Sequence, residues 1–262
     1  MDLGIRGKVA LVAASSRGLG RATAEALAAE GADLVLCARG AEALAEAAEH
    51  VRRAYGVRVV GVAADVADPA GLARVVAGAE SLGPVEILVT NAGGPPAGPF
   101  ESHDAAAWQE AVRVNLASVV ELTRAVLPGM KGRRWGRIVN VTSIAVKQPV
   151  DNLILSNSVR AAVTGFARTL ANEVAPFGIT VNNVMPGYTR TARVDALAAR
   201  NAALRGTTPA DEFGGWERQI PMGRLGEPDE FGAMVAFLCS RQASYTTGAS
   251  IPVDGGWIRS LV

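Results

Sequence analysis

The sequence predicts an α/β fold: a single-domain, Rossmann-type, doubly wound parallel sheet of about seven strands with helices on both faces. Short runs that are apolar on both faces of a strand alternate with Ala-rich amphipathic stretches of helical length. Strict alternation of this kind implies parallel strands joined by right-handed crossovers. With 262 residues, of which 49% are hydrophobic, the chain can build one continuous core. We therefore expect one domain over residues 1–262.

The elements are predicted in order along the chain. Strands are expected at residues 8–13, 33–37, 58–62, 85–89, 137–141, 180–184 and 250–253. Helices are expected at residues 19–30, 41–55, 69–82, 104–130, 153–175 and 227–239. Residues 188–221 interrupt this rhythm with a long polar stretch that contains Gly214 and Gly215. Segments of this length are usually lids or disordered loops, so we expect a lid at about 188–221.

Composition and charge argue against several classes of function. The net charge is +1 and no long basic cluster is present, which does not predict nucleic-acid binding. No apolar run is long enough to span a membrane, and the first residues lack the apolar core of a signal peptide. Two His and two well-separated Cys, Cys37 and Cys239, do not suggest a metal site. We expect a cytoplasmic protein that binds a small molecule.

A glycine-rich turn follows the first predicted strand and opens directly into the first helix. Glycines let the backbone approach a diphosphate, and the start of a helix offers free N–H groups and the positive end of its dipole. The alternative is a tight turn that binds nothing, which the position between strand and helix makes the less favoured interpretation. The predicted dinucleotide contacts in this loop are Ala14, Ser16, Arg17, Gly18, Leu19 and Gly20.

The end of the second predicted strand favours NADP(H) over NAD(H). Folds that bind NAD commonly place an acidic residue there, which accepts hydrogen bonds from the ribose. Here Ala38 has no carboxylate and Arg39 carries a positive charge. Arg39 and Arg17, together with Ser16, could hold a 2′-phosphate. The alternative is that Arg39 is a solvated residue at the start of a helix.

Several further motifs occur at definite places along the chain. Asn91-Ala92-Gly93 follows the fourth predicted strand, Ser143 ends the segment 136–143 that contains the fifth, and Pro186-Gly187 follows the sixth. With the glycine turn, these motifs resemble the short-chain dehydrogenases/reductases over essentially the whole chain, most closely the group similar to β-ketoacyl-acyl-carrier-protein reductases. The resemblance implies further cofactor contacts, at the adenine and nicotinamide sides, by Asp65, Val66, Asn91, Ala92, Gly93, Pro186, Gly187 and Thr191.

The resemblance also implies a catalytic tetrad, and half of it is altered in this chain. Asn115 and Ser143 stand at the positions of the family's Asn and Ser. The family's Tyr and Lys fall at Ser156 and Arg160, in a frame secured by the segment that begins at Arg160. A second departure is Ala14, which replaces the first glycine of the turn. If that position needs a positive φ, its Cβ costs on the order of 1 kcal/mol.

The altered tetrad lacks the usual proton donor for carbonyl reduction. An aliphatic hydroxyl such as Ser156 is a weak acid, and a guanidinium such as Arg160 does not release its proton at neutral pH. Lys147 is a candidate donor if partial burial lowers its pKa, with a solvated lysine at a loop tip as the favoured interpretation. Tyr188 is another candidate, with packing beside the lid as the favoured role. The predicted catalytic residues are Asn115, Ser143, Ser156, Arg160 and Lys147.

Three functions remain open at this point. The first is an NADP(H)-dependent oxidoreductase that acts on a carbonyl/alcohol pair of a small molecule or acyl thioester with a non-standard acid. The second is an NADP(H)-binding sensor or scaffold with little or no hydride transfer. The third is an elimination or isomerisation with Lys147 or Asp151 as base. By the resemblance we also expect a homotetramer, assembled through the 104–130 and 153–175 helices and the C-terminal segment.

Overall fold

The computed structural model describes residues 2–261, so Met1 and Val262, the ends of the predicted domain, lie outside the described residues. Seven parallel strands form one sheet in the order β3-β2-β1-β4-β5-β6-β7, which confirms the predicted fold class. The strands are β1 (Val9–Ala13), β2 (Asp33–Ala38), β3 (Val59–Ala63), β4 (Val85–Thr90), β5 (Gly136–Val141), β6 (Ile179–Pro186) and β7 (Ser250–Val253).

Helices cover both faces of this sheet. They are α1 (Gly18–Ala29), α2 (Ala41–Tyr55), α3 (Pro69–Glu80), α4 (Ala105–Val112), α5 (Ser118–Arg133), α6 (Ile154–Val174), α7 (Ala192–Arg205), α8 (Pro209–Gln219) and α9 (Pro228–Cys239). One apolar core, with Leu27, Leu44 and Phe231, packs α1, α2 and α9 on one face. A second core, with Leu122 and Leu170, packs α3, α5 and α6 on the other. No helix in the described part of the chain has the length and apolarity to cross a membrane.

The prediction of one regular helix at 104–130 is wrong. A π-helical turn, Arg113–Ala117, separates α4 from α5. Such turns insert one extra residue into the hydrogen-bond ladder and commonly mark functional sites. Here the turn contains Asn115, whose side chain is 4% exposed.

The polar stretch at 188–221 is not an irregular loop, because it contains α7 and α8. Thr191 caps α7 by accepting a hydrogen bond from the Val194 N–H, and Gly206 ends the helix in the left-handed region. Thr208 and Asp211 form a reciprocal capping box at the start of α8. The polar surface belongs to the outer faces of these helices, while Trp216 of α8 is buried on the inner face.

A row of buried polar side chains joins the last four strands, near the carboxyl ends of β4 and β5, in the middle of β6 and at the start of β7. Thr90 donates to Asn140 at 2.7 Å, Asn140 to Asn183 at 3.1 Å, and Asn183 to Ser250 at 3.0 Å. Thr90, Asn140 and Asn183 are each no more than 1% exposed. Because every member has a partner, the row fixes the register of β4 to β7. The carboxyl ends of β4, β5 and β6 carry loops of the candidate site.

Candidate active site

A large cavity lies at the carboxyl ends of the strands, where the strand order reverses between β1 and β4. In open α/β sheets this is where ligands bind. Its volume of about 870 Å³ falls in the range of roughly 300–1,000 Å³ typical of small-molecule and cofactor sites. All the residues that the sequence singles out for cofactor binding and catalysis line this cavity, except Gly20 and Lys147.

The glycine turn has the backbone conformation that a diphosphate site requires. Ala14 adopts φ 50° and Gly18 φ 56°, so the position where the family has glycine is occupied by a residue with a Cβ in the left-handed region. Gly20 packs directly under the turn, where an added Cβ would lie 2.2 Å from the Ala14 carbonyl oxygen. Gly20 therefore permits the close approach of helix and strand without itself facing the cavity.

The start of α1 offers unpaired backbone donors to this turn. Arg17 is the N-cap residue, in extended conformation, and its side chain makes no capping hydrogen bond. The first N–H groups of α1 are thus left for a ligand, at the positive end of the helix dipole. This donor set fits the phosphates of a dinucleotide.

The adenosine end of the cavity combines two unpaired cations with two paired acids. Arg17 and Arg39 are exposed, line the cavity, and make no salt bridge within residues 2–261. Asp65 and Glu110 are held instead by Arg113, at 3.5 and 2.7 Å. The Arg113 guanidinium lowers the pKa of Glu110, and Arg39 contributes to the same shift. The two free guanidinium groups fit an additional phosphate on the ribose.

The π-helical turn directs Asn115 into the half of the cavity that lies away from the adenosine end. Its amide Nδ2 donates to the Ala111 carbonyl oxygen at 3.3 Å. Its Oδ1 is buried and has no hydrogen-bond partner within the described chain. A buried acceptor without a partner is costly, so this oxygen is available to a ligand or to an ordered water.

Two serine hydroxyls face the same half of the cavity. Ser143 caps the short 3₁₀ turn Ile144–Val146, and its Oγ accepts from the Ala145 N–H at 3.1 Å. Ser156 is 8% exposed, and its hydroxyl has no hydrogen-bond partner among the residues described. The carbonyl oxygen of Asn152, four residues earlier in the turn before α6, accepts from the Gly98 N–H. The Ser156 hydroxyl is therefore free to serve a ligand.

Arg160 lies one helical turn after Ser156, on the same face of α6. Its Nη1 donates to the carbonyl oxygens of Val141 and Thr142, at 2.8 and 3.1 Å, and its Nη2 to that of Ala92 at 3.3 Å. Burial lowers the pKa of Arg160 to about 10, and the nearby Arg193 acts in the same direction. The guanidinium ties the ends of β4 and β5 together and places a positive charge under the site.

Two other candidates for the proton donor are poorly placed. Lys147 and Asp151 are exposed and do not line the cavity. Tyr188 does line it, but burial raises the pKa of its hydroxyl to about 12, which makes it a weaker acid. Its ring stacks on Trp216, with a centroid distance of 4.5 Å, which agrees with a packing role beside the lid.

Arg193 is a residue of the site that the sequence did not single out. It stands in the first turn of α7, and its Nη2 donates to the Pro95 carbonyl oxygen at 2.9 Å, across the mouth of the cavity. The side chains of Val150, Leu153, Val194 and Leu197 add apolar lining beside it. Its position two residues after Thr191, a predicted cofactor contact, could have indicated that Arg193 lies near the site. Thr191 caps the same helix.

Comparison with known proteins supports a relationship along the whole chain. A family model described as enoyl-(acyl carrier protein) reductase matches residues 13–258. The chain is 34% identical to 3-oxoacyl-[acyl-carrier-protein] reductase FabG of Aquifex aeolicus, over 98% of this chain and 99% of that protein.

Two solved structures resemble the fold closely. L-sorbose reductase from Gluconobacter frateurii, complexed with NADPH and L-sorbose, aligns with a TM-score of 0.94 and 36% identity over 100% of both chains. A variant of actinorhodin polyketide ketoreductase with NADPH aligns with a TM-score of 0.92 and 33% identity, over 97% of this chain and 98% of that one.

Proposed function

The chain belongs to the short-chain dehydrogenase/reductase family, and we propose that it is an NADP(H)-dependent oxidoreductase whose proton donor is the Ser156 hydroxyl. The observation that carries the proposal is the geometry of α6. Ser156 presents a free hydroxyl to the cavity, and Arg160 places a buried cation one turn below it. Family membership supplies the class of reaction, and these two residues supply its unusual acid.

The residues around the cavity fit NADP(H) as the cofactor. The diphosphate would lie against the glycine turn and the start of α1, and the 2′-phosphate against Arg17 and Arg39. Asn91, Ala92 and Gly93, with Pro186, Gly187 and Thr191, would border the nicotinamide half. Two structurally similar proteins are NADPH complexes, which agrees with this choice. When bound, the reduced nicotinamide supplies the hydride to the carbonyl carbon.

The chain's own residues act on the carbonyl oxygen. The hydroxyls of Ser143 and Ser156 donate hydrogen bonds to that oxygen as negative charge develops on it, and the Arg160 cation stabilises the charge at short range. The carbonyl π electron pair moves to the oxygen, which takes the Ser156 proton and becomes a hydroxyl. Ser156 recovers its proton from solvent water. Because serine is a weak acid, this route predicts slow turnover.

A second candidate function, an NADP(H)-binding protein without hydride transfer, is favoured by one observation. The ionisable side chains that line the substrate half are Arg160, Arg193 and Tyr188. Burial leaves the pKa of Arg160 at about 10 and that of Tyr188 at about 12. These groups do not exchange protons readily near neutral pH. A sensor or scaffold needs only the cofactor half of the cavity.

Steady-state oxidation of NADPH with a panel of ketones, oxo acids and thioesters decides between the two. We expect slow turnover that Ser156→Ala lowers by about 10²-fold, in the range typical of a lost general acid. Ser158→Ala is the matched control, since Ser158 is an exposed serine on the same helix that does not line the cavity. Equal turnover in both variants would remove Ser156 as donor. Tight NADPH binding without turnover on any substrate would establish the second candidate.

We also infer a homotetramer, as expected from the family. Large apolar side chains are exposed at Val112 at the end of α4 and at Phe237 on α9, and at Tyr245 in the segment after α9. Of these, Val112 lies within the 104–130 segment that is expected to form a subunit contact. Size-exclusion chromatography with light scattering tests the assembly, and a monomeric mass would overturn it.

A further inference from the structure

We propose that Arg193 and Arg160 form an anion site in the substrate half of the cavity, and that the substrate is an oxo acid or hydroxy acid held by its carboxylate. This inference rests on the oxidoreductase function proposed above and adds the chemical class of the substrate. It distinguishes a free acid from a neutral ketone or thioester of the same chain length.

Two guanidinium groups meet at one short stretch of loop. Arg160, on α6 beneath the cavity, donates to the Ala92 carbonyl oxygen at 3.3 Å. Arg193, on α7 above it, donates to the Pro95 carbonyl oxygen at 2.9 Å. Both side chains line the cavity, and Arg193 is close enough to Arg160 to lower its pKa. Two like charges that face one cavity repel each other, which an anion between them would relieve.

Neither cation is neutralised by the protein. Within residues 2–261, Arg160 and Arg193 form no salt bridge with any carboxylate. The acids that line the cavity are Asp65 and Glu110, and both are held at the adenosine end by Arg113. Arg160 is buried and Arg193 is exposed at the cavity wall. An unpaired cation in a buried position such as that of Arg160 is costly, so the substrate half favours a ligand of opposite charge.

Arg193 also keeps most of its hydrogen-bonding capacity. A guanidinium carries five N–H donors in a rigid fork that matches a carboxylate. Only the bond from Nη2 to the Pro95 carbonyl is made within the described residues. The remaining edge of the fork can accept a carboxylate while that bond holds the side chain across the cavity. The neighbouring Val150, Leu153, Val194 and Leu197 suit an aliphatic chain between the carboxylate and the carbonyl.

The diphosphate of the cofactor is the other anion that could reach Arg193. The glycine turn and the free N–H groups at the start of α1 already provide a site for it. The two sources predict different results, because a diphosphate contact changes cofactor affinity, whereas a carboxylate contact changes discrimination among substrates.

The test compares short-chain oxo acids with their methyl esters in NADPH oxidation. We expect the wild-type protein to prefer each acid. Arg193→Gln should raise KM for the acid by about 10–100-fold, the range for losing a charge-assisted hydrogen bond, and leave KM for the ester and the NADPH dissociation constant unchanged. Arg193→Lys should lose part of the preference, because it keeps the charge but not the fork. Arg218→Gln is the matched control: it removes an exposed cation on the neighbouring helix α8, outside the cavity, and should behave as wild type.

A binding measurement keeps the inference separate from turnover. Calorimetric titration of the NADP⁺ complex with a short-chain hydroxy acid should give binding in the wild type and weakened binding in Arg193→Gln. This result is expected even if no substrate is turned over, in which case only the proposed reaction fails. Equal preference for acid and ester, or no binding of the hydroxy acid, would overturn the carboxylate site. Weaker NADPH binding in Arg193→Gln with unchanged acid preference would assign the cation to the diphosphate instead.

Discussion

The Nη1 atom of Arg160 donates a 2.8 Å hydrogen bond to the carbonyl oxygen of Val141, the last residue of β5. The same guanidinium binds the carbonyl oxygens of Thr142 and Ala92, so one side chain joins the ends of two parallel strands. A lysine ammonium, with a single donor centre, does not match this arrangement. Arginine at this position is thus a structural part of the site as well as a charge within it.

Arg160→Lys is expected to destabilise the protein. The charge is kept, but buried carbonyl groups lose their donor, which costs about 1–3 kcal/mol of the free energy of unfolding. Chemical denaturation at fixed protein and cofactor concentration measures this difference. Arg124→Lys, at an exposed position on α5, is the matched control and should change stability by no more than about 0.5 kcal/mol. Equal stability of the two variants would contradict the structural role.

Ala14 is strained by its left-handed conformation, at φ 50°. A residue with a Cβ pays about 1–2 kcal/mol there, whereas glycine loses only about 0.5–1 kcal/mol of additional chain entropy on folding. Ala14→Gly should therefore raise the free energy of unfolding by up to about 1 kcal/mol. Ala13→Gly, at the end of the buried strand β1, should lower it. Thermal denaturation of both variants measures the difference, and a loss of stability in Ala14→Gly would argue against strain.

Arg39 should set the preference for a phosphorylated cofactor. Arg39→Ala removes one charged contact to the 2′-phosphate and is expected to weaken NADPH binding by about 10–100-fold. NADH lacks that phosphate, so its dissociation constant should stay within about twofold. Fluorescence titration measures both constants. Arg53→Ala removes an exposed cation on α2, outside the cavity, and serves as the control. If the affinities for NADPH and NADH fall equally, Arg39 contacts a part of the cofactor that both nucleotides share.

The sheet was predictable because its strands are buried on both faces. In β1 all five residues are buried and apolar, so no alternation of polar residues obscures the run. The π-helical turn at Asn115 was not predictable, since α4 and α5 share one continuous helical pattern. The extra residue is placed by the tertiary packing around the site.

In the lid, the sequence contained local signals for the two helices but none for the role of Arg193. Thr191 and the pair Thr208 and Asp211 are capping residues readable from sequence, and they would have indicated two helices despite the polar composition. Arg193 could not be found in the same way. Its role depends on how α7 crosses the cavity to reach Pro95, which no local pattern records.

The pH dependence of turnover tests the nature of the acid. A family member with a tyrosine donor depends on a group whose pKa is drawn toward neutrality. Here burial holds the pKa of Arg160 at about 10 and that of Tyr188 at about 12, so both groups stay protonated throughout the neutral range. We expect kcat to be flat between about pH 6 and 9, with a substrate that does not titrate there.

Any change of turnover with pH should be a decrease at the alkaline end of the profile. Turnover requires the charged form of Arg160, so it should fall as the pH rises through about 10. Ser156→Ala should lower the plateau without moving this inflection, because a serine hydroxyl does not titrate in the accessible range. Stopped-flow oxidation of NADPH across the pH series gives both quantities. An inflection between about pH 6 and 9 would mean that another ionisable group delivers the proton.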